Sequence, residues 1–358
     1  MKKKIFGIIK LAVFFALLAY FFIHLSYAVR PDLTNTRANI SGYYSEPDNS
    51  LDVVIIGSSG SMSAFMPMEA WKAKGFTSYN FCTNEMAYEA MPYAVREAAK
   101  TQSPSVVLID VKTLVRPYSI HEMVANGQTG DISFNTDGYK YSLDRLEFIY
   151  RYLPHTSFSF PYYFDILKYH ELPFHTKYWN WEKHYLNRGY GFFGWGNEIE
   201  YAEDTDEIIP LEESVDRALD EVMAECKKGF PDSQVVFLYY PYAETIYNDH
   251  PVATVNYIEK RVQDAGFTFL DCADYFEEFG FDIQRDYWNN GHWNVLGSEK
   301  TTAWMIDYLS THYDLPDHRE DPAYDSWNKD IKRWDKRLKS EKKKIKRLIK
   351  NAQKEQNT

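Results

Sequence analysis

Cysteine is scarce in this 358-residue chain, and its spacing excludes a zinc site built on paired cysteines. The three cysteines are Cys82, Cys226 and Cys272, and no two of them form a Cys-x-x-Cys pair. Structural zinc sites usually draw their thiolates from such pairs. An odd number of cysteines also gives no disulfide framework, although one disulfide can form in an oxidising compartment. We expect all three to be small, buried side chains.

The histidines also lack the spacing of metal ligands, being scattered singly along the chain. Metal-binding histidines normally recur within a few residues of one another or of a cysteine pair. We therefore predict neither a metal nor another cofactor. The chain shows no internal repeat either.

Positive charge is scarce outside the C-terminal region. The chain has 40 Lys and Arg against 51 Asp and Glu, a net charge of -11. Between Lys329 and Lys350 there are twelve basic and three acidic residues, a local charge of +9, so the remainder carries about -20. Such an acidic body lacks the basic surface by which proteins bind nucleic acid. We predict no nucleic-acid partner.

The N-terminus carries an apolar run from roughly Leu11 to Val29, preceded by lysines at positions 2–4. Its length fits a helix that crosses a bilayer, and the lysines favour a cytoplasmic start. The competing interpretation is a cleaved signal peptide, because Ser26-Tyr27-Ala28 resembles a cleavage site. The long run favours an uncleaved, single-pass anchor in the cell membrane. In both cases the main domain is predicted to be extracytoplasmic.

Apolar runs and helical patterns alternate on both sides of a central interruption. The runs Asp52–Ile56, Thr77–Phe81, Ser105–Val111, Gln234–Tyr240 and Phe267–Leu270 predict buried strands. Continuously apolar strands indicate a parallel sheet covered by helices on both faces. We predict an α/β domain made of residues 51–113 and 211–316. Its predicted helices are Pro67–Gly75, Met86–Thr101, Leu211–Lys228, Val252–Gly266 and Leu296–His312.

Three further segments complete the predicted organisation. Residues 30–50 resemble a polar linker, and residues 114–210 an aromatic-rich insertion or lid beside the C-terminal edge of the sheet. Residues 317–358 predict a basic amphipathic helix. That helix has four possible arrangements: on anionic lipid, paired with another helix, packed on the acidic body, or solvated. Its apolar positions have heptad-like spacing and are Ile331, Trp334, Leu338, Ile345 and Leu348.

Two short segments carry the chemistry. The first strand ends in Gly-Ser-Ser-Gly at 57–60, which predicts a tight turn with a hydroxyl at the edge where open α/β sheets place ligands. The second segment runs from Asp286 through Asn289 to His292. A serine needs a base in hydrogen-bond reach and a group that orients the base. His292 is the candidate base; a plain loop and a structural histidine are the alternatives.

Together these segments resemble SGNH/GDSL-type hydrolases, in which the first strand ends in Gly-x-Ser-x and a late Asp/Asn-x-x-His follows. The similarity is greatest to the membrane-anchored cell-envelope branch, which includes the D-alanine transfer proteins of teichoic acid loading and the alginate-type O-acetyltransferases. It covers Asp52–Lys112 and Gln234–Tyr308. The resemblance implies a three-layer α/β/α SGNH (flavodoxin-like) fold, with Ser59 as nucleophile and His292 as general base.

The sequence departs from this family at two places. Asn289 stands where the family has an aspartate, and an amide orients an imidazole without stabilising its charged form. Asp286 is the alternative source of that charge, and a backbone carbonyl is another way to orient the ring. The family's glycine and asparagine oxyanion donors are also missing from the matching regions. Backbone amides near Thr83, or the Asn84 side chain, are the candidate replacements.

Five further residues are candidates for contact with substrate. Asp110 ends the third predicted strand at the active edge, where it either binds substrate or caps a helix. The aromatic side chains either stack on sugar rings or pack the insertion; they are Trp179, Trp181, Tyr190 and Trp195.

The resemblance implies acyl-ester chemistry on a cell-envelope polysaccharide or teichoic acid, by transfer or hydrolysis of an O-acetyl or D-alanyl group. It also implies an integral-membrane O-acyltransferase as partner, and an anchor would raise the effective concentration of the site near that partner. The alternative, motivated by the two departures, is a non-catalytic glycan-binding or scaffolding subunit of an envelope O-acylation complex.

Overall fold

The computed structural model describes residues 2–30, 35–171, 184–196, 199–243 and 250–356. Its centre is a parallel sheet of five strands in the order β2-β1-β3-β4-β5, and a separate antiparallel pair, β6 and β7, follows it in the chain. The strands are β1 Val53–Gly57, β2 Ser78–Cys82, β3 Val106–Asp110, β4 Gln234–Tyr239, β5 Thr268–Asp271, β6 Tyr287–Asn289 and β7 His292–Trp293.

The five predicted strands are confirmed, each to within one residue at either end. Every residue of β1, β2 and β3 is buried. Val53 of β1 lies opposite Ser78 of β2 on one side and opposite Val106 of β3 on the other. Burial on both faces explains the continuous apolar runs, since neither face of the sheet meets water.

The helices flank this sheet, which confirms the predicted flavodoxin-like α/β/α fold and is consistent with the SGNH type. The α-helices are α1 Lys2–Val29, α2 Asn35–Tyr43, α3 Ser59–Ala64, α4 Pro67–Lys74, α5 Met91–Ala98, α6 Lys112–Val115, α7 Ile120–Ala125, α8 Thr129–Phe134, α9 Leu143–Tyr152, α10 Phe160–Tyr163, α11 Asp165–Tyr169, α12 Glu213–Gly229, α13 Pro251–Asp264, α14 Phe276–Phe279, α15 Val295–His312 and α16 Asp325–Gln356.

The order of the strands places a crevice at the carboxyl ends of β1 and β3. From β1 the chain moves outward to β2, and it then returns to the other side of β1 to form β3. In open α/β sheets ligands bind where the strand order reverses in this way, because the flanking connections diverge there. Ser59 follows β1 by two residues, and Asp110 is the last residue of β3, so both lie at this point.

One predicted helix is shorter than expected. The pattern over Met86–Thr101 becomes a 3₁₀ turn at Tyr88–Ala90 followed by α5, which starts at Met91. Pro92 occupies the first turn of α5. Proline cannot donate a backbone hydrogen bond, so it is tolerated in a first turn and disfavoured in a helix interior.

The predicted linker over residues 30–50 is wrong at Asn35–Tyr43, where helix α2 packs against β2. Ile40 and Tyr43 are fully buried, and the Tyr43 hydroxyl donates to the carbonyl of Ala98 at 2.9 Å. These two residues are three apart and so share a helix face. The polar residues around them hid this short apolar face in the sequence.

Helix α1 is long and apolar enough to span a membrane, with a mean hydropathy of 2.4 over its most apolar window. A signal sequence near the N-terminus can also be this long and apolar. The end of α1 joins the body through Arg30, which is fully buried. The Arg30 Nε donates to Asp165 at 2.6 Å, and Asp165 also pairs with Arg145 at 2.9 Å. The insertion therefore holds the end of this helix.

The basic tail forms α16, and of the four arrangements left open the structure shows packing on the body. Trp334 and Ile345 are almost completely buried, and α16 contacts α4 and α15. Ile349 is buried in place of the predicted Leu348, which is 36% exposed. A straight helix has 3.6 residues per turn, so a strict heptad position drifts away from the contact face.

The three cysteines are all free and buried, as predicted.

Candidate active site

The turn after β1 presents Ser59 at the start of α3. Ser58 is extended, with φ −96° and ψ −165°, and the helix begins at the next residue. Two glycines make this turn possible. A Cβ on Gly57 would lie 2.3 Å from the Ser61 hydroxyl, and one on Gly60 would lie 2.6 Å from the Tyr242 hydroxyl. The predicted Gly-Ser-Ser-Gly turn is thus held in place by close packing on both sides.

Asp110 supports this turn from behind and does not face the crevice. Its carboxylate accepts hydrogen bonds from the Ser61 hydroxyl, from the Tyr242 hydroxyl at 2.7 Å and from the Lys112 amide at 3.0 Å. Burial raises the pKa of this carboxyl group, although its donors oppose the shift. The expectation that Asp110 binds substrate is therefore wrong. Asp110 lies one residue before the N-cap, Val111, and its bond to the Lys112 amide supports the start of α6 without capping it.

His292 lies in the β6–β7 hairpin, with its ring between Ser59 and Asn289. Its Nε2 is 2.7 Å from the Ser59 Oγ, and its Nδ1 is 2.7 Å from the Asn289 Oδ1. The same Oδ1 accepts the Gly291 amide at 3.0 Å. A backbone N–H can only donate, so this atom is the amide oxygen and His292 must carry its proton on Nδ1. The Nε2 is then free to accept the proton of Ser59.

The surroundings of His292 keep it neutral. The ring is 9% exposed and stacks on Phe193, with ring centroids 4.7 Å apart. Its pKa is well below 6.5, first because of burial and then because of the positive charges on Lys112 and Arg116. A neutral imidazole is the form that accepts a proton. The same charges disfavour the imidazolium that would follow.

Lys112 ties the hairpin to the end of β3. It is 4% exposed, and its Nζ donates to the Gly291 carbonyl at 2.8 Å while lying 4.4 Å from the centre of the Tyr242 ring. This ammonium group therefore fixes the backbone next to His292. Sequence reasoning missed Lys112, although its position two residues after β3, at the active edge, was a usable signal.

Asp286 does not supply charge to His292. Its side chain is fully buried, and its Oδ2 accepts from Lys300 Nζ at 2.6 Å and from the Asp282 amide at 2.8 Å. Asn289 occupies the Nδ1 side of the ring instead. The expectation that Asp286 replaces the missing aspartate is wrong, because its carboxylate forms an ion pair with helix α15 and stabilises the loop before the hairpin.

The two candidate oxyanion donors lie in different places. The Thr83 amide donates to the Gly57 carbonyl at 3.2 Å, which extends the pairing of β1 and β2 by one step, and its side chain is fully buried. Thr83 is therefore excluded. Asn84 lines the same cleft as Ser59. The amides of Ser59 and Gly60 open α3, where the first N–H groups have no acceptor within the helix.

Two of the four predicted aromatic substrate contacts, Tyr190 and Trp195, belong to the packing of the chain. Tyr190 is fully buried, and its hydroxyl donates to Ser298 at 3.1 Å. The indole N–H of Trp195 donates to the Gln284 carbonyl at 3.0 Å. Packing, the alternative interpretation, holds for both residues. Trp179 and Trp181 lie outside the described residues.

A cleft of about 520 Å³ opens over Ser59 and His292. The sheet edge, the insertion and the hairpin all contribute to its wall. Trp288 is 40% exposed there, with its ring 5.2 Å from that of His292. Trp288 lies inside the late motif, so that motif could have identified it. The remaining lining residues are Asn84, Glu85, Arg116, Tyr118, Gln128, Asp131, Phe134, Phe193, Asn289, Asn290 and Gly291.

No family model and no curated protein match this sequence. Among solved structures, an acetyl xylan esterase from the rumen bacterium Butyrivibrio proteoclasticus aligns with 74% of this chain, at 10% identity and a TM-score of 0.33. The chain spans 65% of that esterase. An extracellular lipase from Streptomyces rimosus also aligns, at 14% identity and a TM-score of 0.32. The alignment covers 74% of this chain and 100% of the lipase. At such low scores, the function has to be inferred from the site itself.

Proposed function

We propose that this protein is a serine-dependent acyl-ester enzyme, held at the outer face of the cell membrane, that removes or transfers an acyl group on a cell-envelope polymer. The observation that carries this proposal is the pair of 2.7 Å contacts that links Ser59, His292 and Asn289 at the floor of an open cleft. A nucleophile, a base and a group orienting the base are the minimum set for acyl transfer.

The first step follows from the tautomer of His292. The Ser59 oxygen attacks the ester carbonyl while Nε2 takes its proton, and the bond to the alcohol breaks once Nε2 returns that proton to the leaving oxygen. The amides of Ser59 and Gly60 and the side chain of Asn84 are the donors near the developing oxyanion. Each such donor typically contributes a factor of about 10²–10³ to the rate.

The second step releases the acyl group from Ser59. A glycan hydroxyl, or water, loses its proton to Nε2 and attacks the acyl-enzyme, which regenerates the serine. Transfer between polymer hydroxyls, or from the product of an integral-membrane O-acyltransferase, uses the same groups. The exposed Trp288 offers an aromatic face beside His292 on which a sugar ring can stack. An acetyl or D-alanyl ester fits this chemistry equally well.

The membrane location rests on α1 and Arg30. The helix has the length of a bilayer span, and its last turn and Arg30 are buried in the insertion. Ala28 is completely buried, which places the last turn of α1 inside the folded body. Retention of α1 would keep the cleft close to the membrane surface, where an acyltransferase partner would act.

The second candidate function is a non-catalytic glycan-binding or scaffolding subunit. The observation that favours it is Asn289, whose amide leaves the imidazolium without a carboxylate while Lys112 and Arg116 oppose its charge. A site of this kind can hold a ligand in the cleft and turn over very slowly.

Labelling with a fluorophosphonate probe separates the two functions. The full-length protein should form a covalent adduct at Ser59 and hydrolyse p-nitrophenyl acetate. Ser59→Ala should abolish both activities and His292→Ala should reduce both by about 10³ or more, whereas Ser340→Ala, on the exposed side of α16, should change neither. An unlabelled, inactive wild-type protein that still binds envelope glycan would establish the second function.

A further inference from the structure

Six lysines of α16 form a straight stripe along its solvent side. They recur at intervals of four and three residues, so on a helix they fall within an arc of about 80° and extend over about 27 Å. All six are exposed. They are Lys332, Lys336, Lys339, Lys343, Lys346 and Lys350.

These lysines stand apart from the ion pairs of the tail. Four other cations of α16 pair with described carboxylates, and they are Lys329, Arg333, Lys342 and Lys344. None of the six stripe lysines forms an ion pair within the part of the chain that the structure describes. Like charges three or four residues apart destabilise a helix. The stripe therefore contains five consecutive pairs of lysines that repel each other. An external anion bound along the stripe would reduce this repulsion.

The opposite side of α16 is not available to a partner. Trp334, Leu338, Ile345 and Ile349 are 0–8% exposed and pack into the body. Trp334 lies against Phe192, with ring centroids 5.7 Å apart. The next residue, Phe193, stacks on His292. The stripe is thus a fixed surface of the folded protein, and its helix has no free apolar face to insert into lipid.

We propose that the lysine stripe of α16 binds a linear polyanion, a polymer chain with regularly repeated phosphate or carboxylate groups. Six ammonium groups at a mean axial spacing of about 5.4 Å match an extended chain in length and direction. Lysine is a compact point charge without the fork geometry of arginine, which suits a contact that reads charge and not a specific group. This surface goes beyond the proposed function and does not depend on it.

The charge of the rest of the protein favours a polymer over a bilayer or a second copy. The remainder of the chain carries about -20, and Asp335, next to the stripe on α16, is 49% exposed. A bilayer is wider than a helix, so it would bring anionic headgroups against this acidic surface. A symmetric contact with a second copy would bring stripe against stripe and one body of about -20 against another, so like charges would meet in both places. A single polymer chain contacts the stripe alone.

The test uses the full-length protein in nanodiscs of phosphatidylcholine, with fluorescein-labelled inorganic polyphosphate as the probe and anisotropy as the readout. The logarithm of the binding constant should fall with the logarithm of salt concentration at a slope of about −4, as expected for six contacts to a flexible chain. Changing all six lysines to glutamine should weaken binding at least tenfold and flatten the slope. Changing them to arginine should preserve both.

A matched pair of triple variants locates the effect. K336Q/K339Q/K343Q, on the stripe, should weaken binding and halve the slope, whereas K74Q/K228Q/K260Q, on other exposed surfaces, should leave binding close to that of the wild type. Glutamine is a good helix former, so α16 should remain folded, as circular dichroism will show. Ser59→Ala should bind polyphosphate normally, which separates this proposal from the proposed function.

Three results would overturn the polyanion surface. The first is equal weakening by the two triple variants. The second is tighter, stripe-dependent binding to phosphatidylglycerol vesicles than to polyphosphate, which would assign the stripe to a membrane. The third is a dimer, seen by light scattering, that the six-lysine variant dissociates, which would assign the stripe to a second copy.

Discussion

The amide oxygen of Asn289 holds the Nδ1–H of His292 at 2.7 Å, where SGNH-type hydrolases use a carboxylate. This contact fixes the tautomer that leaves Nε2 facing Ser59. It provides no negative charge to balance an imidazolium, and Lys112 and Arg116 act against that charge. The site is therefore oriented for proton transfer to His292, but its charges disfavour the imidazolium that this transfer forms.

A carboxylate at position 289 should accelerate the proposed reaction. Asn289→Asp keeps an oxygen that accepts from His292 and Gly291, and it adds the charge that stabilises the imidazolium. We expect kcat for p-nitrophenyl acetate to rise at least about tenfold, given that the charge is worth orders of magnitude in serine proteases. Asn290→Asp adds the same charge to the cleft without contacting the ring and serves as control. Equal rates for the two variants would refute this role for Asn289.

The pH profile should report the depressed pKa of His292. A base whose pKa lies well below 6.5 stays unprotonated as the pH falls, so kcat/KM should be lost only at a midpoint below pH 6.5. Lys112→Met removes a positive charge that disfavours the imidazolium, so it should move the midpoint upward. Lys74→Met, on an exposed surface, should not move it. A midpoint insensitive to Lys112 would show that Lys112 does not contribute to the lowered pKa, and would leave burial and Arg116 as its causes.

The oxyanion donors can be distinguished by two neighbouring substitutions. Asn84 lines the cleft, so Asn84→Ala should lower kcat by about 10²-fold with little change in KM. The Thr83 amide bonds to Gly57 and its side chain is buried, so the similarly shaped Thr83→Val should leave kcat almost unchanged. Steady-state kinetics with p-nitrophenyl acetate measures both; the opposite ranking of the two variants would exclude Asn84 as a donor.

The close packing at Gly60 should make the nucleophile turn sensitive to a single methyl group. A Cβ at this position would lie 2.6 Å from the Tyr242 hydroxyl, so Gly60→Ala must displace Tyr242 or the turn itself. We expect lower thermal stability and at least a tenfold lower kcat, since small displacements of a nucleophile are costly. Gly130→Ala meets no atom within 4 Å and should be neutral or stabilising. Similar behaviour of both variants would argue against a tight turn.

Arg30 should be important for stability although it does not line the cleft. Its guanidinium is fully buried against Asp165, so Arg30→Met leaves a buried carboxylate with one partner fewer. Breaking a buried pair in this way typically costs about 3–5 kcal/mol. Arg217→Met removes an ion pair that is 61% exposed at Arg217, and should cost less than about 1 kcal/mol. Denaturant unfolding in detergent compares the two; equal losses would contradict the docking of α1.

The contrast between correct and incorrect predictions follows the range of the interactions. The strands were predictable because burial on both faces demands a continuous apolar run, which a short window of sequence displays. The Asp110 role was mistaken because its partners, Ser61 and Tyr242, lie 49 and 132 residues away. The linker prediction failed at α2 for a similar reason, since Ile40 and Tyr43 gain their burial from β2 and α5.

The sequence by itself determined the alternation of strands and helices, the apolar N-terminal helix, the basic tail, and the two segments that carry Ser59 and His292. These are local patterns of hydrophobicity, charge and turn residues. Only the tertiary structure decided that Asn289 and not Asp286 orients His292, that Lys112 and Phe193 flank the site, and which face of α16 meets water. Those outcomes depend on contacts between segments far apart in the chain. A local sequence pattern does not specify which distant side chains come into contact when the helices pack on the sheet.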